Sequence, residues 1–330
     1  MKALGLISGG LDSILALRLV LDQGIEVTAM HVNIPFIAEK QDIAKITAEL
    51  GVPLEVVEVD EDYMEVTGNP GHGYGTGMNP CIDCRIYVLK KAKELADRIG
   101  ASFLFTGEVL GERPMSQTRR ALKIIDEESG LGGLILRPLS ARLLPETIPE
   151  SEGWVDRQKL MAIKGRNRKP QMALAEELGI THYPQPAGGC LLTQQEFSSK
   201  LRDLFQHKQK PSLRDIPRLE VGRHFRFEGY KIIVGRNEQE NNTLQELKGP
   251  EDYAFEVPGH GSPITLMESS DGGSEEEKAL EIAAKLTVRY SDAGGGEVVV
   301  EKQKGTGEKE TMAVSVSQED RNFLRSLFLT

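Results

Sequence analysis

A short apolar run, Ala3 to Ile7, gives way to the polar turn Ser8-Gly9-Gly10-Leu11-Asp12-Ser13. Apolar residues at helical spacing follow, with Ile14, Leu17 and Leu21 along one face and Leu15 and Leu19 beside them. This pattern predicts a buried strand, a glycine turn and a helix. The alternation then repeats. Glu26 to Val32 reads as a second strand, 38–50 as a helix stopped by Gly51, and Pro53 to Val59 as a third strand. Ile86 to Ile99 reads as an amphipathic helix, Ser102 to Phe105 as a fourth strand and Leu134 to Leu139 as a fifth. Strands alternating with helices predict an α/β fold with a doubly wound, parallel, five-stranded sheet. In such sheets ligands bind where the loops gather at the carboxyl ends of the strands.

The pattern changes after residue 200. Phe225 to Asn237 alternates like a hairpin turning at Glu228-Gly229, 276–286 reads as a helix after a loop over 270–275, and Glu297 to Glu301 as a strand. The expected organisation is an α/β domain over 1–195, a basic linker over 196–219 and a smaller α+β domain over 220–330. Residues 67–80 hold five glycines and two prolines. No core can be built from them, so a mobile loop is expected, either a lid or a plain connection.

With 330 residues there is material for about two domains. The net charge of −10 means that any nucleic-acid contact needs a local basic patch. Residues 157–169 carry Arg157, Lys159, Lys164, Arg166, Arg168 and Lys169 with no acidic residue, a candidate patch for a phosphate backbone or else a solvated helix face. From Lys200 to Arg236 ten Lys and Arg stand against four Asp and Glu, so this stretch is locally basic. The opening residues are too short an apolar run for a signal peptide, and no stretch reaches the ~20 apolar residues of a membrane span, so a cytoplasmic protein without a membrane partner is expected.

The turn Ser8 to Ser13 carries the first chemistry. A strand–glycine–helix junction points unpaired N–H groups and the positive end of the helix dipole at one spot, which suits a phosphate. Gly9 and Gly10 let backbone approach the anion, Ser8 and Ser13 add hydroxyls, and Asp12 beside a phosphate calls for Mg²⁺ between them. The plain alternative is a Ser/Asp helix cap. Met30 and His31, ending the second strand, offer backbone for adenine, with His31 a satisfied strand-end residue rather than a catalyst. The loop from Thr106 through Gly107, Glu108 and Arg113 to Gln117 faces the same site, with Glu108 or Arg113 as candidates for proton or phosphate handling.

The second chemistry lies in Cys81, Cys84 and Cys190. Three cysteines in a reducing compartment argue for metal or redox chemistry rather than a disulfide framework. Cys81 and Cys84 sit at a predicted helix N-terminus, where the dipole is expected to lower thiol pKa. Cys190 follows Gly188 and Gly189, which suits close backbone approach as well as a buried structural cysteine. Four cysteines would suggest structural zinc, whereas three leave one coordination position open.

The string SGGLDS resembles the PP-loop of the N-type ATP pyrophosphatases, with an adenine nucleotide alpha hydrolase-like fold. It lacks the Gly-Lys-Ser/Thr ending of a Walker A loop. Together with TGE…SQ at 106–117, the Arg137-Pro138-Leu139 ending and the cysteine spacing, it resembles the tRNA thiolation enzymes of the 4-thiouridine and 2-thiouridine synthetase group. The string GYKIIVGRNEQENNTL at 229–244, with His260-Gly261-Ser262-Pro263, resembles the NFACT RNA-binding domain. These resemblances imply an ATP-dependent sulfurtransferase that adenylates a uridine carbonyl in RNA, expected to be tRNA, and replaces its oxygen with sulfur. They imply ATP at Ser8, Gly9, Gly10, Leu11, Asp12, Ser13, Met30, His31 and Gly107, with Mg²⁺ near Asp12. They also imply Cys81, Cys84 and Cys190 as the ligands of a 4Fe-4S cluster or as persulfide carriers, fed by sulfide or a persulfide-carrying protein. Catalysis would rest on those cysteines and Asp12. The thiouridine synthetases carry an N-terminal RNA-binding module, and here the C-terminal domain is expected to take that task. A homodimer is allowed. The rivals are an ATP-dependent amidating or desulfurising enzyme acting on a small molecule, and a non-catalytic ATP-sensing RNA-binding factor.

Overall fold

The computed structural model describes residues 1–37, 42–183, 189–268 and 275–329. The chain divides into two compact units, Met1–Thr193 and Gln194–Thr330.

The first unit holds strands β1 (Lys2–Leu6), β2 (Glu26–Asn33), β3 (Leu54–Glu58), β4 (Phe103–Thr106) and β5 (Ile135–Leu136) in one sheet. All pairings are parallel and the order is β3-β2-β1-β4-β5. Its helices are α1 (Leu11–Leu21), α2 (Ile43–Glu49), α3 (Asp62–Gly68), α4 (Cys81–Ile99), α5 (Arg119–Glu128), α6 (Ile148–Ser151) and α7 (Lys169–Glu177). Both faces of the sheet are covered, as continuous apolar strands require. On one face Ala3, Val27, Phe103 and Phe105 meet Leu17 and Val20 of α1 and Ile43 of α2. On the other, Leu4, Met30 and Leu104 meet Leu89, Ala92 and Leu95 of α4 and Ile125 of α5. Strand order reverses between β1 and β4, so the loops leaving these two strands open a crevice at the switch point.

This is the expected doubly wound sheet, with a fifth strand trimmed to two residues. The second helix begins at Ile43, since the expected start at 38–41 lies outside the described residues. The fourth helix starts earlier than its apolar repeat, at Cys81.

The glycine-rich stretch 67–80 is a pinned strap rather than a free loop. The Asp83 carboxylate accepts from the backbone N–H groups of Gly71 (3.0 Å) and His72 (3.1 Å) and from His72 Nδ1 (3.1 Å). His72 Nε2 lies 3.1 Å from Glu128, and Tyr74 donates its hydroxyl to the carbonyl of Gly68 at 2.7 Å. The hydrogen bond to Asp83, against a smaller opposing cost of burial, raises the His72 pKa above 6.5. With a raised folded-state pKa, the His72 clasp is fully present below the ordinary histidine value and is lost as pH rises through the raised one. Backbone amide protection over 69–78 should therefore fall between about pH 6 and about pH 9, after correction for intrinsic exchange. In His72→Ala it should be low at both. Equal protection in the two proteins at the lower pH removes this role.

The second unit holds α8 (Gln195–His207), α9 (Ile216–Glu220), β6 (Arg223–Phe227), β7 (Tyr230–Val234), α10 (Glu238–Glu246), β8 (Tyr253–Glu256), β9 (Thr265–Met267), α11 (Glu276–Arg289), β10 (Val298–Lys304), β11 (Lys309–Val314) and α12 (Gln318–Ser326). The six strands form one antiparallel sheet in the order β11-β10-β8-β9-β7-β6. Ala279, Ile282, Ala283 and Leu286 of α11 close a core with Ile232, Phe255 and Val300. The predicted hairpin is β6–β7, and Glu228 at its turn has φ 46°, the only positive φ outside glycine among the described residues. Of the loop expected before α11, 270–274 lie outside the described residues.

The segment 196–219 is not a linker. In α8, Phe197, Leu201 and Leu204 are buried, and Asp203 ion-pairs with Arg226 of β6 (2.6 Å) and Lys231 of β7 (2.5 Å). Its basic character disappears into such pairs, as Lys200 meets Glu196, Lys208 meets Asp215, and Arg218 meets Asp252 and Glu268. Arg202, Lys210 and Arg214 remain exposed.

Candidate active site

The crevice at the switch point is a cavity of about 400 Å³. Ser8, Gly10, Leu11, Asp12 and Ser13 line one side, Met30 and His31 another, Gly107 a third, and Cys81, Cys84 and Cys190 the remainder. Every candidate site residue except Gly9 borders this one space. Gly9 shapes its wall instead, with φ 78°, a conformation that lets the chain turn from β1 into α1.

The turn after β1 is held from within. Ser13 Oγ donates to the carbonyl of Gly10 at 2.8 Å and accepts from the Ser8 N–H at 3.3 Å. A Cβ on Gly107 would lie 2.5 Å from Ser13 N, so the loop after β4 must carry glycine to lie against the loop after β1. His31 Nδ1 is 3.0 Å from the carbonyl of Ile7. A carbonyl only accepts, so Nδ1 carries the hydrogen, which fits a satisfied strand-end residue. Leu11 is fully buried and contributes backbone rather than side chain.

Asp12 stands in the first turn of α1, and burial raises its pKa, partly offset by Arg168, Gln171 and Arg113. Glu112 also lines the cavity, and burial together with Asp12 raises its pKa too.

Cys81 and Cys84 occupy the first turn of α4, as the sequence predicts. Cys81 Sγ is 3.1 Å from Ser116 Oγ, and Tyr63 donates its hydroxyl to Cys84 Sγ at 3.0 Å. Cys190 is brought in by backbone. It bridges to Ile37, and the N–H of Leu191 donates to the carbonyl of Phe36 at 2.8 Å. The neighbouring 184–188, including Gly188, lie outside the described residues. Burial pushes the Cys84 thiol up, and the Cys190 thiol up to about 12. The expected depression of the CxxC thiols by the helix dipole is thus reversed at Cys84, because desolvation outweighs it.

Beneath the cysteines runs a buried ion chain. Arg85 Nε lies 3.1 Å from Glu108, which lies 3.0 Å from Arg137 Nε, and Arg137 holds Asp126 at 2.6 Å. Burial works to raise the Glu108 pKa, but the two guanidinium groups hold it below the usual range. Glu108 is therefore a fixed anion and not the proton carrier considered from sequence.

Sequence reasoning missed Tyr63 and Ser116, for which the chain offers no local signal. It assigned Arg168 to a nucleic-acid patch, whereas Arg168 lines this cavity. The clue was available, since Arg168-Lys169-Pro170 opens a helix with proline in its first turn.

Among the described residues, no three His, Cys, Asp or Glu side chains already stand together as a metal-binding set. The cavity fits a nucleotide polyphosphate on other grounds: a helix N-terminus, a glycine turn, an opposing glycine packed against the backbone of Ser13, and basic side chains. No helix among the described residues is long and apolar enough to cross a membrane.

A glycine turn at the switch point of a parallel β3-β2-β1-β4-β5 sheet, opening on a cavity with basic side chains, is the architecture of an α/β nucleotide-binding domain. Residues 1–142 match the family described as thiamine biosynthesis protein (ThiI), and residues 222–323 match the NFACT protein RNA binding domain. The tRNA-specific 2-thiouridylase MnmA of Syntrophotalea carbinolica is 32% identical over 115 residues, covering 30% of this chain and 32% of its own length. A "probable tRNA sulfurtransferase" of Thermococcus kodakarensis is 30% identical over 145 residues, covering 42% of this chain and 36% of its own length. The chain thus spans about a third of each of these curated relatives. Among solved structures, a 4-thiouridine synthetase in complex with RNA and ATP overlays with a TM-score of 0.35 at 20% identity, over 66% of this chain and 52% of that one.

Proposed function

We propose that the chain is an ATP-dependent sulfurtransferase that adenylates a uridine carbonyl in RNA, with tRNA as the substrate class, and replaces the oxygen with sulfur. One observation carries this reading. The glycine turn and all three cysteines face the same cavity of about 400 Å³, so an activated carbonyl and a sulfur donor can meet there. The matches to the ThiI family and to an RNA binding domain support it.

The carbonyl oxygen attacks the α-phosphorus of ATP, the bond to the α,β-bridging oxygen breaks, and pyrophosphate leaves. Sulfide, free in solution or released when a second thiol attacks a carrier's persulfide and leaves a disulfide, then adds to the activated carbon. The carbon–oxygen bond breaks, AMP departs with the former carbonyl oxygen, and one proton is released. The N–H groups opening α1, with Ser8 and Ser13, stabilise charge that grows on the phosphates. Asp12 would hold Mg²⁺ brought in with the nucleotide, and Met30 and His31 would flank adenine. Cys81, Cys84 and Cys190 are the residues that would hold a 4Fe-4S cluster, which when bound supplies an open iron for sulfide. Tyr63 orients Cys84, and Ser116 orients Cys81. The C-terminal unit would hold the RNA.

The test is release of AMP and pyrophosphate from ATP, with sulfide present and unmodified tRNA added or withheld, followed by mass analysis of the RNA. Release that depends on RNA, with sulfur incorporated, is expected. Release without RNA, driven by a small acceptor, overturns the reading. Anaerobically purified protein should carry about four iron and four acid-labile sulfide per chain, lost in Cys190→Ala. Stoichiometric zinc instead would make the cysteines a structural clip.

A further inference from the structure

The basic run 157–169 is split by the fold. Arg157 pairs with Glu150 and donates to the carbonyl of Leu144. Lys159, Lys164, Arg166 and Lys169 face solvent. Arg168 alone of the six lines the nucleotide cavity. It caps α7, whose Leu174 and Ala175 pack on Leu11 and Leu15 of α1. A second helix N-terminus is therefore brought to the cavity beside the first, with positive charge at its tip.

An independent observation points to a ligand there. Gln171, in the first turn of α7, is completely buried, and neither its amide nitrogen nor its oxygen has a hydrogen-bond partner. Its side chain stands close enough to Asp12 to help hold that carboxyl's pKa down against burial. Arg168 Nε and Asp12 Oδ1 are buried and unpartnered as well. Buried polar atoms are nearly always matched. Arg168 and Asp12 line the cavity and Gln171 stands behind them beside Asp12, so the unmatched atoms gather at one corner of it. Two of them present donors beside a helix N-terminus, which selects an anion. Asp12 Oδ1 and the nearby Glu112 then require a cation or a donor carried in with it.

We propose that Arg168, Gln171 and the N-terminus of α7 form a second phosphate subsite. It takes the β- and γ-phosphates of ATP and retains them as pyrophosphate while the α-phosphorus is transferred. The inference rests on the ATP-dependent reading above. When the α-phosphorus bonds to the acceptor oxygen, the electron pair of the breaking bond passes to the bridging oxygen of pyrophosphate. Arg168 stands where that added charge is held.

The full chain is titrated by calorimetry with inorganic pyrophosphate, with ATP and separately with AMP. Arg168→Gln should weaken pyrophosphate and ATP about tenfold or more, the loss of a charge-assisted hydrogen bond, and leave AMP unchanged. Gln171→Met should weaken pyrophosphate and raise the melting temperature of the ligand-free protein, because the unmatched amide is gone. Arg166→Ala, on the exposed part of the run, should change neither. Unchanged pyrophosphate binding in a folded Arg168→Gln overturns the subsite, as does equal weakening of pyrophosphate and AMP. Loss of RNA retention with pyrophosphate binding intact would return Arg168 to the nucleic-acid patch. A wild-type chain that binds neither ATP nor pyrophosphate overturns the ATP-dependent reading itself.

Discussion

Asp12→Asn is expected to reduce RNA-dependent AMP formation by at least roughly 10²–10³-fold while leaving the protein as stable as the wild type or more so. The two halves have one cause. The Asp12 Oδ1 atom is buried without a hydrogen-bond partner, and burial raises the carboxyl pKa despite Arg168, Gln171 and Arg113. A raised folded-state value means that the ionised carboxylate opposes folding. The opposition is full above the raised value and vanishes below the ordinary carboxylate range. The stability difference between Asp12→Asn and wild type should therefore grow as pH rises through the acid range and level off toward neutrality. Residues kept at a cost to the free fold are those a bound ligand rewards. Urea denaturation over that range and pyrophosphate release at neutral pH read the two halves separately. Release at the wild-type rate would sink the role of Asp12 in adenylation.

Much of this site was legible in the chain. The run from Ala3 to Ser13 predicted strand, turn and helix, and the structure has them as β1, the glycine turn and α1. The alternation of strands and helices predicted the parallel sheet, and the sheet's switch point explains why loops after β1 and β4 meet. Cys190 lies far from Cys81 and Cys84 in sequence, yet all three border one cavity. The misses share a physical origin, which is that charge counts ignore partners. The run from Lys200 to Arg236 reads as basic, and 196–219 as a linker, because Asp203, Asp252, Glu240 and Glu268 neutralise its charges only after folding. Asp83 lies between two cysteines and gives no sign in sequence that it will clasp Gly71 and His72. Glycine content reported the absence of a core in 67–80 and said nothing about hydrogen bonds that tie the strap down.

Glu108 shows the same principle at its strongest, and its removal should be the most damaging single change to stability. The side chain is 2% exposed and sits between Arg85 and Arg137, themselves distant in the chain. Glu108→Gln leaves Arg137 buried with Asp126 alone and Arg85 without its partner. Removing one member of a buried ion pair costs about 3–5 kcal/mol, so a loss near 3 kcal/mol is expected at neutral pH. The two arginines hold the Glu108 pKa below its ordinary 4.5, so its contribution is complete above that value and is lost as pH falls through the lower folded one. Asp126 runs the other way, since burial raises its pKa despite Arg137, and its ionisation subtracts from stability as pH rises. The gap between wild type and Glu108→Gln should therefore narrow only at strongly acidic pH, below the point where Asp126 has already taken its proton. The double variant Glu108→Gln with Arg137→Met should recover part of the loss, because it removes the stranded cation as well. Arg85 would then be the remaining unpaired charge beside Cys84, and thiol modification of Cys84 should quicken as α4 loosens from the loop after β4. A Glu108→Gln protein within about 0.5 kcal/mol of wild type would mean that the ion chain is solvated in solution and does not brace the cysteine helix.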